Sequence, residues 1–298
     1  MIGVDVGGTS VKAMRAGLDG TAMSRDSVAT PQTAAALTAS VVDLVERLRG
    51  ADTVGVGVAC PGDVRDGIVH FAANLPWREE PVLDRVQTAV RLPVAVEWDV
   101  AAAAIAESAR VAADDVLFVS LGTGIACAHV VRGAVHRGAT GRAGEIGHTP
   151  VRPYGDPCAC GQRGCLEAYA SAAAIARRYS ARTGAALTAK QIAGRLDDDD
   201  DAAAVWSDAV AALATALVTE TLVTDPGVIV LGGGLAEAGD RLLEPVRAAV
   251  TAGLAWRPAP PVLPASLGDA AGLHGATQRA WQVVPHAVSS PDREGCSP

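Results

Sequence analysis

Several features are missing from this 298-residue sequence, and each absence removes a class of protein. Basic residues are in deficit. With 25 Lys and Arg against 33 Asp and Glu, the formal charge is −8, which argues against a nucleic-acid or anionic-membrane surface. No apolar run is long enough to suggest a membrane span, and Met1 leads into Ile2-Gly3-Val4-Asp5 without a basic leader. Neither a signal peptide nor a transmembrane helix is expected, and the protein reads as cytoplasmic. There is no GxxxxGK[ST] run, which excludes a Walker loop. The Gly55 and Gly57 pair lacks a third glycine at residue 60 and an immediate helix, which disfavours a Rossmann dinucleotide site. A disulfide framework is not expected either. Three of the six cysteines share one loop, Cys60 and Cys127 lie in apolar, strand-like surroundings, and Cys296 lies in a polar tail, a pattern of reduced thiols.

What is present is nearly half apolar, enough for a sizeable core and, at this length, for two domains. The densest chemistry lies between Gly138 and Glu167. Cys158, Cys160 and Cys165, with His148 upstream, supply the number and type of ligands that a tetrahedral structural zinc needs. Gly161 and Gly164 suit a chain wrapped tightly around an ion. A closed Cys3His shell leaves no open position for water, so such a metal holds a loop rather than doing chemistry. Glu145 and Glu167 bracket the ligands, and fixing the loop fixes two carboxylates able to accept hydrogen bonds from hydroxyls.

Along the chain, Ile2 to Val6 reads as a buried strand and turns through Gly7-Gly8-Thr9-Ser10 into a second one. A tip of small residues lets backbone N–H groups approach phosphate oxygens. The pattern recurs about 115 residues later: Leu117 to Leu121, the tip Gly122-Thr123-Gly124, then Ile125 to Val131. One unit used twice suggests a nucleotide clamped between two halves. Helices are predicted over Ala34 to Leu48, Val100 to Arg110, Leu166 to Thr183, Ala202 to Thr224 and Ala270 to Val284, and further strands over Val54 to Ala59, Leu92 to Glu97 and Gly227 to Leu231. Trp98 and Asp99 fall at a strand-to-helix switch, where open α/β sheets place ligands, and Asp99 is a candidate cap for the helix that follows. The acidic run Asp197 to Asp201 reads as a solvated loop and helix start. Gly232-Gly233-Gly234-Leu235, leading from a strand into a helix, is a candidate shelf for adenine or ribose. The tail from Ser289 to Pro298 reads as loose.

Taken together, Asp5-Val6-Gly7-Gly8-Thr9, Glu97-Trp98-Asp99, Leu121-Gly122-Thr123-Gly124, Ala143 to His148, the CxCGxxGCxE run from Cys158 to Glu167, and Leu231 to Gly234 are specific. Through them the chain, from about residue 1 to 280, resembles the ROK family of sugar kinases, glucokinase-like members of the actin, Hsp70 and hexokinase fold. The resemblance implies a two-domain α/β kinase with its ligand cleft between the domains. The small domain would span residues 1–116, completed from about residue 273 to 298, and the large one residues 117–272. The implied activity is transfer of the γ-phosphoryl of ATP to a hexose 6-hydroxyl, with catalytic Mg2+ and structural Zn2+. By the same resemblance Asp99 is the catalytic base, and Gly62, Trp98, Glu145, His148 and Glu167 join it at the sugar. Asp5 lies near the magnesium. Gly7, Gly8, Thr9, Lys12, Gly122, Thr123 and Gly124 take the phosphates, and Gly232, Gly233, Gly234 and Leu235 the adenosine. His148 doubles as a zinc ligand with Cys158, Cys160 and Cys165, and a homodimer is implied.

One position departs from the family pattern. The family has Glu-Asn-Asp before the helix, whereas this chain has Trp98 in the middle. An amide donates and accepts at once, but an indole offers one donor and a broad apolar face. An acceptor other than plain glucose is therefore expected, with an aminohexose such as kanosamine as the candidate, since an indole face attracts an ammonium. A deoxy or epimeric hexose is equally compatible, as is Trp98 pointing away from the site. Two other classes stay in view: a sugar-responsive repressor, disfavoured by the start of the phosphate hairpin at residue 2, and a catalytically silent sugar binder, disfavoured by Asp99. A polyphosphate donor is left open, although the Gly232 segment favours a nucleoside.

Overall fold

The computed structural model describes residues 1–17 and 20–284. The expected loose tail, Ser289 to Pro298, and Cys296 within it lie outside the described residues. Runs of buried apolar residues build the central strands of two five-stranded sheets of one design. The first contains β1 (Ile2–Val6), β2 (Ser10–Ala16), β3 (Ala22–Ala29), β4 (Val56–Cys60) and a fifth strand, Val94–Trp98, in the order β3-β2-β1-β4 and then the fifth. Its first three strands form an antiparallel meander, and the other two join parallel to β1. Between β4 and the fifth strand lie a small antiparallel sheet of β5 (Asp63–Arg65), β6 (Ile68–Phe71) and β7 (Arg78–Glu80), and the helix α2 (Val82–Val90). The fifth strand is β8. Helix α1 (Ala34–Leu48) covers the outer face, with Thr33 Oγ1 accepting from Ala36 N at 3.3 Å as its cap.

The second sheet repeats the plan with β9 (Asp115–Leu121), β10 (Ile125–Val131), β11 (Ala134–Val135), β12 (Val228–Gly232) and β13 (Val262–Pro264), in the order β11-β10-β9-β12-β13. The antiparallel and parallel pairings fall in the same places as in the first sheet, so the duplicated hairpin belongs to a duplicated sheet. Helices α4 (Glu167–Ala170), α5 (Ala172–Thr183), α6 (Ala189–Ala193), α7 (Asp200–Thr224) and α8 (Asp240–Gly253) build its outer layer. Among the described residues α7 alone has the length and apolar composition to cross a membrane, but Val205, Trp206, Val210, Leu213 and Leu217 on it are buried in the second core.

Two helices fill the space between the sheets. α3 (Asp99–Ser108) lies on β9 and β10, α9 (Ala271–Val283) lies on β1 and β4, and the two pack on each other. Small residues make this possible. A Cβ on Gly57 would stand 1.8 Å from the Ala276 carbonyl oxygen, so the Gly55/Gly57 pair serves helix packing rather than a nucleotide.

Some boundaries differ from expectation for local reasons. The helix expected over Leu166 to Thr183 breaks at Ser171, whose hydroxyl caps α5 by accepting from Ala174 N at 3.1 Å. Asp99 does not cap α3. Trp98 occupies the N-cap position, and Asp99 opens the helix with Oδ1 accepting from Val100 N at 2.8 Å. The Gly232 turn does not run straight into a helix, because a 3-10 turn over Gly234–Ala238 precedes α8. The acidic run behaves as expected: Asp199 caps α7, accepting from Asp201 N and Ala202 N at 3.0 Å.

Candidate active site

β8 and α3 deliver the central carboxylate. In register across the first sheet, Asp5 stands beside Ala59, Ala59 beside Glu97, and Cys60 beside Trp98. The strand ends therefore bring Asp5 and Asp99 together under the inner helices. Burial pushes the Asp99 carboxyl up to about 6, and the like charge of Asp5 adds to the shift. Asp5 is likewise raised to about 6 by burial, although Lys12, its cross-strand partner, pulls the other way. Buried Cys60 is pushed well above the usual thiol range by burial, then by Asp99, Asp5 and Glu97. A concentration of negative charge thus faces the cleft from the first sheet.

Glu97 is itself 1% exposed, and such a charge must be paired. It accepts from Arg137 Nη1 at 2.9 Å and Nη2 at 2.5 Å, meets Arg279 Nε at 2.9 Å, and takes the Trp98 N–H at 3.0 Å.

The cleft encloses a cavity of about 670 Å³. All six residues assigned to the acceptor by resemblance line it: Gly62, Trp98, Asp99, Glu145, His148 and Glu167. Trp98 does not point away. A Cβ on Gly144 would come within 3.2 Å of its ring, so the indole packs on the residue just before Glu145. Glu167 is held at the second tip, where its Oε2 accepts from Ile125 N at 2.9 Å.

The zinc-type loop forms the far wall. His148 Nδ1 and the sulfurs of Cys158, Cys160 and Cys165 all lie within 4.8 Å of one another. The Cys158–His148 and Cys160–Cys165 separations are 3.8 Å each. Bonds of about 2.3 Å to a tetrahedral zinc place its ligands roughly 3.8 Å apart, so the set fits one ion. Gly164, at φ +77°, donates to Asp156 O at 2.8 Å, while its own carbonyl accepts from Val151 and Arg152 at 2.9 and 3.1 Å. A left-handed residue is what this turn needs. The cysteines of the described residues are all free thiols.

The residues assigned to the nucleotide are spread more widely. Gly124 lines the large cavity. Gly234 and Leu235 line a second cavity of about 350 Å³ with Ala172, Thr188, Lys190 and Trp206. The second tip borders both spaces, since Gly124 lines the large one and Gly122 O accepts from the N–H of Ala172, a residue of the smaller one, at 2.9 Å. Gly7, Gly8 and Thr9 form the first tip, with Gly8 close against Asn74 at the rim of the large cavity. Gly232 and Gly233 owe their lack of side chains to packing: a Cβ there would meet the Phe118 ring at 2.8 Å and the Leu121 carbonyl at 2.5 Å. Lys12 lines a separate cavity with Arg25, Asp26 and Asp269.

Other lining residues were not anticipated: Asp63, Asn74, Ser120, His136, Arg137 and Arg142. Arg142 lies inside the Gly138 to Glu167 stretch, so its position beside Gly141 was a usable signal. Nothing local marks Asp63 or Asn74 as facing the same space.

A model of the ROK family matches residues 1–282. A glucokinase of Streptomyces coelicolor is 33% identical over 311 aligned residues, covering 95% of this chain and 98% of that protein. Among solved structures, a ROK family glucokinase from Streptomyces griseus in complex with glucose and AMPPNP matches with a TM-score of 0.80 at 34% identity, over 95% of this chain and 99% of that one. A ROK hexokinase from Thermus thermophilus matches with a TM-score of 0.87 at 31% identity, over 95% and 98%. Two like sheets around a carboxylate-lined cleft, and these matches, define a sugar kinase of the actin and hexokinase fold. Within that class the chain belongs to the ROK family.

Proposed function

We propose that the protein uses ATP to phosphorylate the 6-hydroxyl of a hexose, and that its preferred acceptor is an amino or otherwise modified hexose, with kanosamine as the candidate. The observation that carries this reading is the convergence of Asp99, Trp98, Glu145, His148 and Glu167 on one cavity. In this reading Asp99 takes the proton of the attacking hydroxyl. A carboxylate raised to about 6 is still ionised at neutral pH and is a better base than an exposed one. Glu145, Glu167, His148 and Gly62 hold the other hydroxyls. The tips Gly7-Gly8-Thr9 and Gly122-Thr123-Gly124 position the phosphates, Lys12 adds positive charge beside Asp5 from the neighbouring cavity, and Gly232 to Leu235 position the nucleoside. Phosphoryl transfer asks mainly for such positioning and for charge neutralisation.

Two metals belong to the reading. Asp5 is the residue that would hold magnesium, because a buried carboxylate raised by burial, whose charge in turn raises Asp99, suits a nearby divalent cation. When bound, that ion neutralises phosphate charge. Zinc on His148, Cys158, Cys160 and Cys165 would brace the acceptor wall. A small domain of residues 1–116 completed by α9, and a large one of residues 117–272, is supported by separate buried clusters on the two sheets. A homodimer and a cytoplasmic setting complete the proposal.

Trp98 supports the modified acceptor, since it lines the cavity where the family places an amide. Its face attracts an ammonium by roughly 0.5–2 kcal/mol. A second reading, ordinary glucokinase, is favoured by the S. griseus relative held with glucose. Turnover of glucose, kanosamine, glucosamine and mannose by one preparation separates the two. An amino sugar is expected to give the highest kcat/KM, and a clear preference for glucose would establish the second reading instead.

A further inference from the structure

Between β11 and Glu145 runs a segment, residues 137–144, that is tied to the first-sheet side at both ends. Near its start Arg137 holds Glu97, at the end of β8, through two hydrogen bonds of 2.9 and 2.5 Å. Near its end Arg142 reaches across the cleft to Asp63 on β5, donating from Nη2 at 2.7 Å and Nε at 3.2 Å to Oδ2. Asp63, Arg137 and Arg142 all line the acceptor cavity. Two residues beyond Arg142 comes Gly144, against the Trp98 ring, and then Glu145.

The two bridges differ in what release would leave behind. Glu97 is buried, and withdrawing Arg137 would remove two charge-assisted bonds from a carboxylate with no access to water. Asp63 is different. Arg65 already donates to both of its oxygens, Nε to Oδ1 at 2.7 Å and Nη2 to Oδ2 at 3.1 Å. Arg142 can leave without orphaning it. The Arg142 side chain is 59% exposed and Asp63 20%, whereas Glu97 is 1% exposed, so salt weakens this bridge more than the other. One bridge is an anchor, and the other is a clasp that can open.

We propose that Asp63 and Arg142 are positioning residues for the acceptor: their bridge clasps the 137–144 segment across the mouth of the cleft and thereby holds Glu145 in place opposite Trp98 and Asp99. The proposal rests on the acceptor reading of that cavity. Neither residue is assigned a part in the chemical step.

The test uses the full chain and two readouts. Hydrogen exchange of the 138–144 amides, measured without sugar, is expected to rise several-fold in Arg142→Gln and in Asp63→Asn, with no further rise in the double variant. Wild type at about 0.5 M salt should approach the same rate, and Arg142→Lys should recover part of the protection. With glucose as the kinetic probe, KM should rise several-fold in Arg142→Gln while kcat stays within about twofold. Unchanged exchange, or single effects that add in the double variant, would overturn the clasp. A fall in kcat at constant KM would also overturn it, by moving Arg142 into the chemistry. The expected exchange pattern without any turnover of glucose would support the clasp and count against glucose as an acceptor.

Discussion

The two sheets share one strand order and differ in charge, and that difference locates the chemistry. Two residues before its glycine tip, β1 carries Asp5, whereas the same place in β9 carries Ser120. At the far end of the first sheet, β8 opens into the cleft with Trp98 and Asp99. At the corresponding end of the second, β13 is stitched shut: Glu107 of α3 accepts from Ser266 N, Ser266 Oγ and Leu267 N at 2.7–2.9 Å. The duplicated scaffold supplies two glycine tips, and the two carboxyls that burial raises to about 6, Asp5 and Asp99, both belong to the first sheet and the helix that leaves it. In the proposed reaction proton transfer would fall to the first sheet, and the second would contribute neutral backbone, the Cys3His loop and the carboxylates of Glu145 and Glu167.

The largest expected break in that asymmetry is Asp99→Asn. Sugar-dependent ADP formation should fall by at least about 10³-fold, the upper range for a positioned general base. The substitution should leave the fold intact, because it removes a charge that burial disfavours. A residual rate within tenfold of wild type in a coupled assay would move the base elsewhere.

Metal removal probes the opposite wall. Stripping the Cys3His loop with a chelator, or changing Cys165 to Ser, should lower kcat/KM by about 10–100-fold, mainly through KM for the sugar. The reason is that His148, Glu145 and Glu167 are held by the same loop. Metal content measured alongside the kinetics checks it, and full activity at zero zinc would reduce the loop to decoration.

A smaller effect is expected from pH. Both Asp5 and Asp99 are raised to about 6, so the base is protonated, and kcat/KM should drop, as pH falls through about 6. Asp5→Asn removes the like charge, so the acid limb of its residual activity should move to lower pH, whereas Ser120→Ala should leave the limb where it is. The sign for stability is the reverse of the usual carboxylate case. Each group binds its proton more tightly folded than unfolded, so its contribution is fully present below about 4 and is lost as pH rises through about 6.

Much of this was legible in the sequence. Strands β1, β10 and helix α1 were readable to the residue because buried strands and amphipathic helices carry strong periodic signals. The grouping of His148, Cys158, Cys160 and Cys165 was readable because sulfur and imidazole at short spacing have few other uses. The small sheet β5-β6-β7 was not, since strands of three or four residues are too short to show a period. Helix α6 was missed although Thr188 and Gln191 form a capping box before it. The bridges from Arg137 and Arg142 join residues 40 and 79 positions apart in the chain, and only the docking of the two sheets brings them together.

In the proposed function the cleft activates a primary alcohol of a hexose. The most direct measurement is the structure, by phosphorus and proton NMR, of the product formed from magnesium ATP and the sugar turned over fastest in the four-sugar panel. The expected product is a single hexose 6-phosphate, absent when Asp99 is replaced by Asn. Phosphate on another oxygen, or ADP released with no sugar phosphate formed, would contradict it.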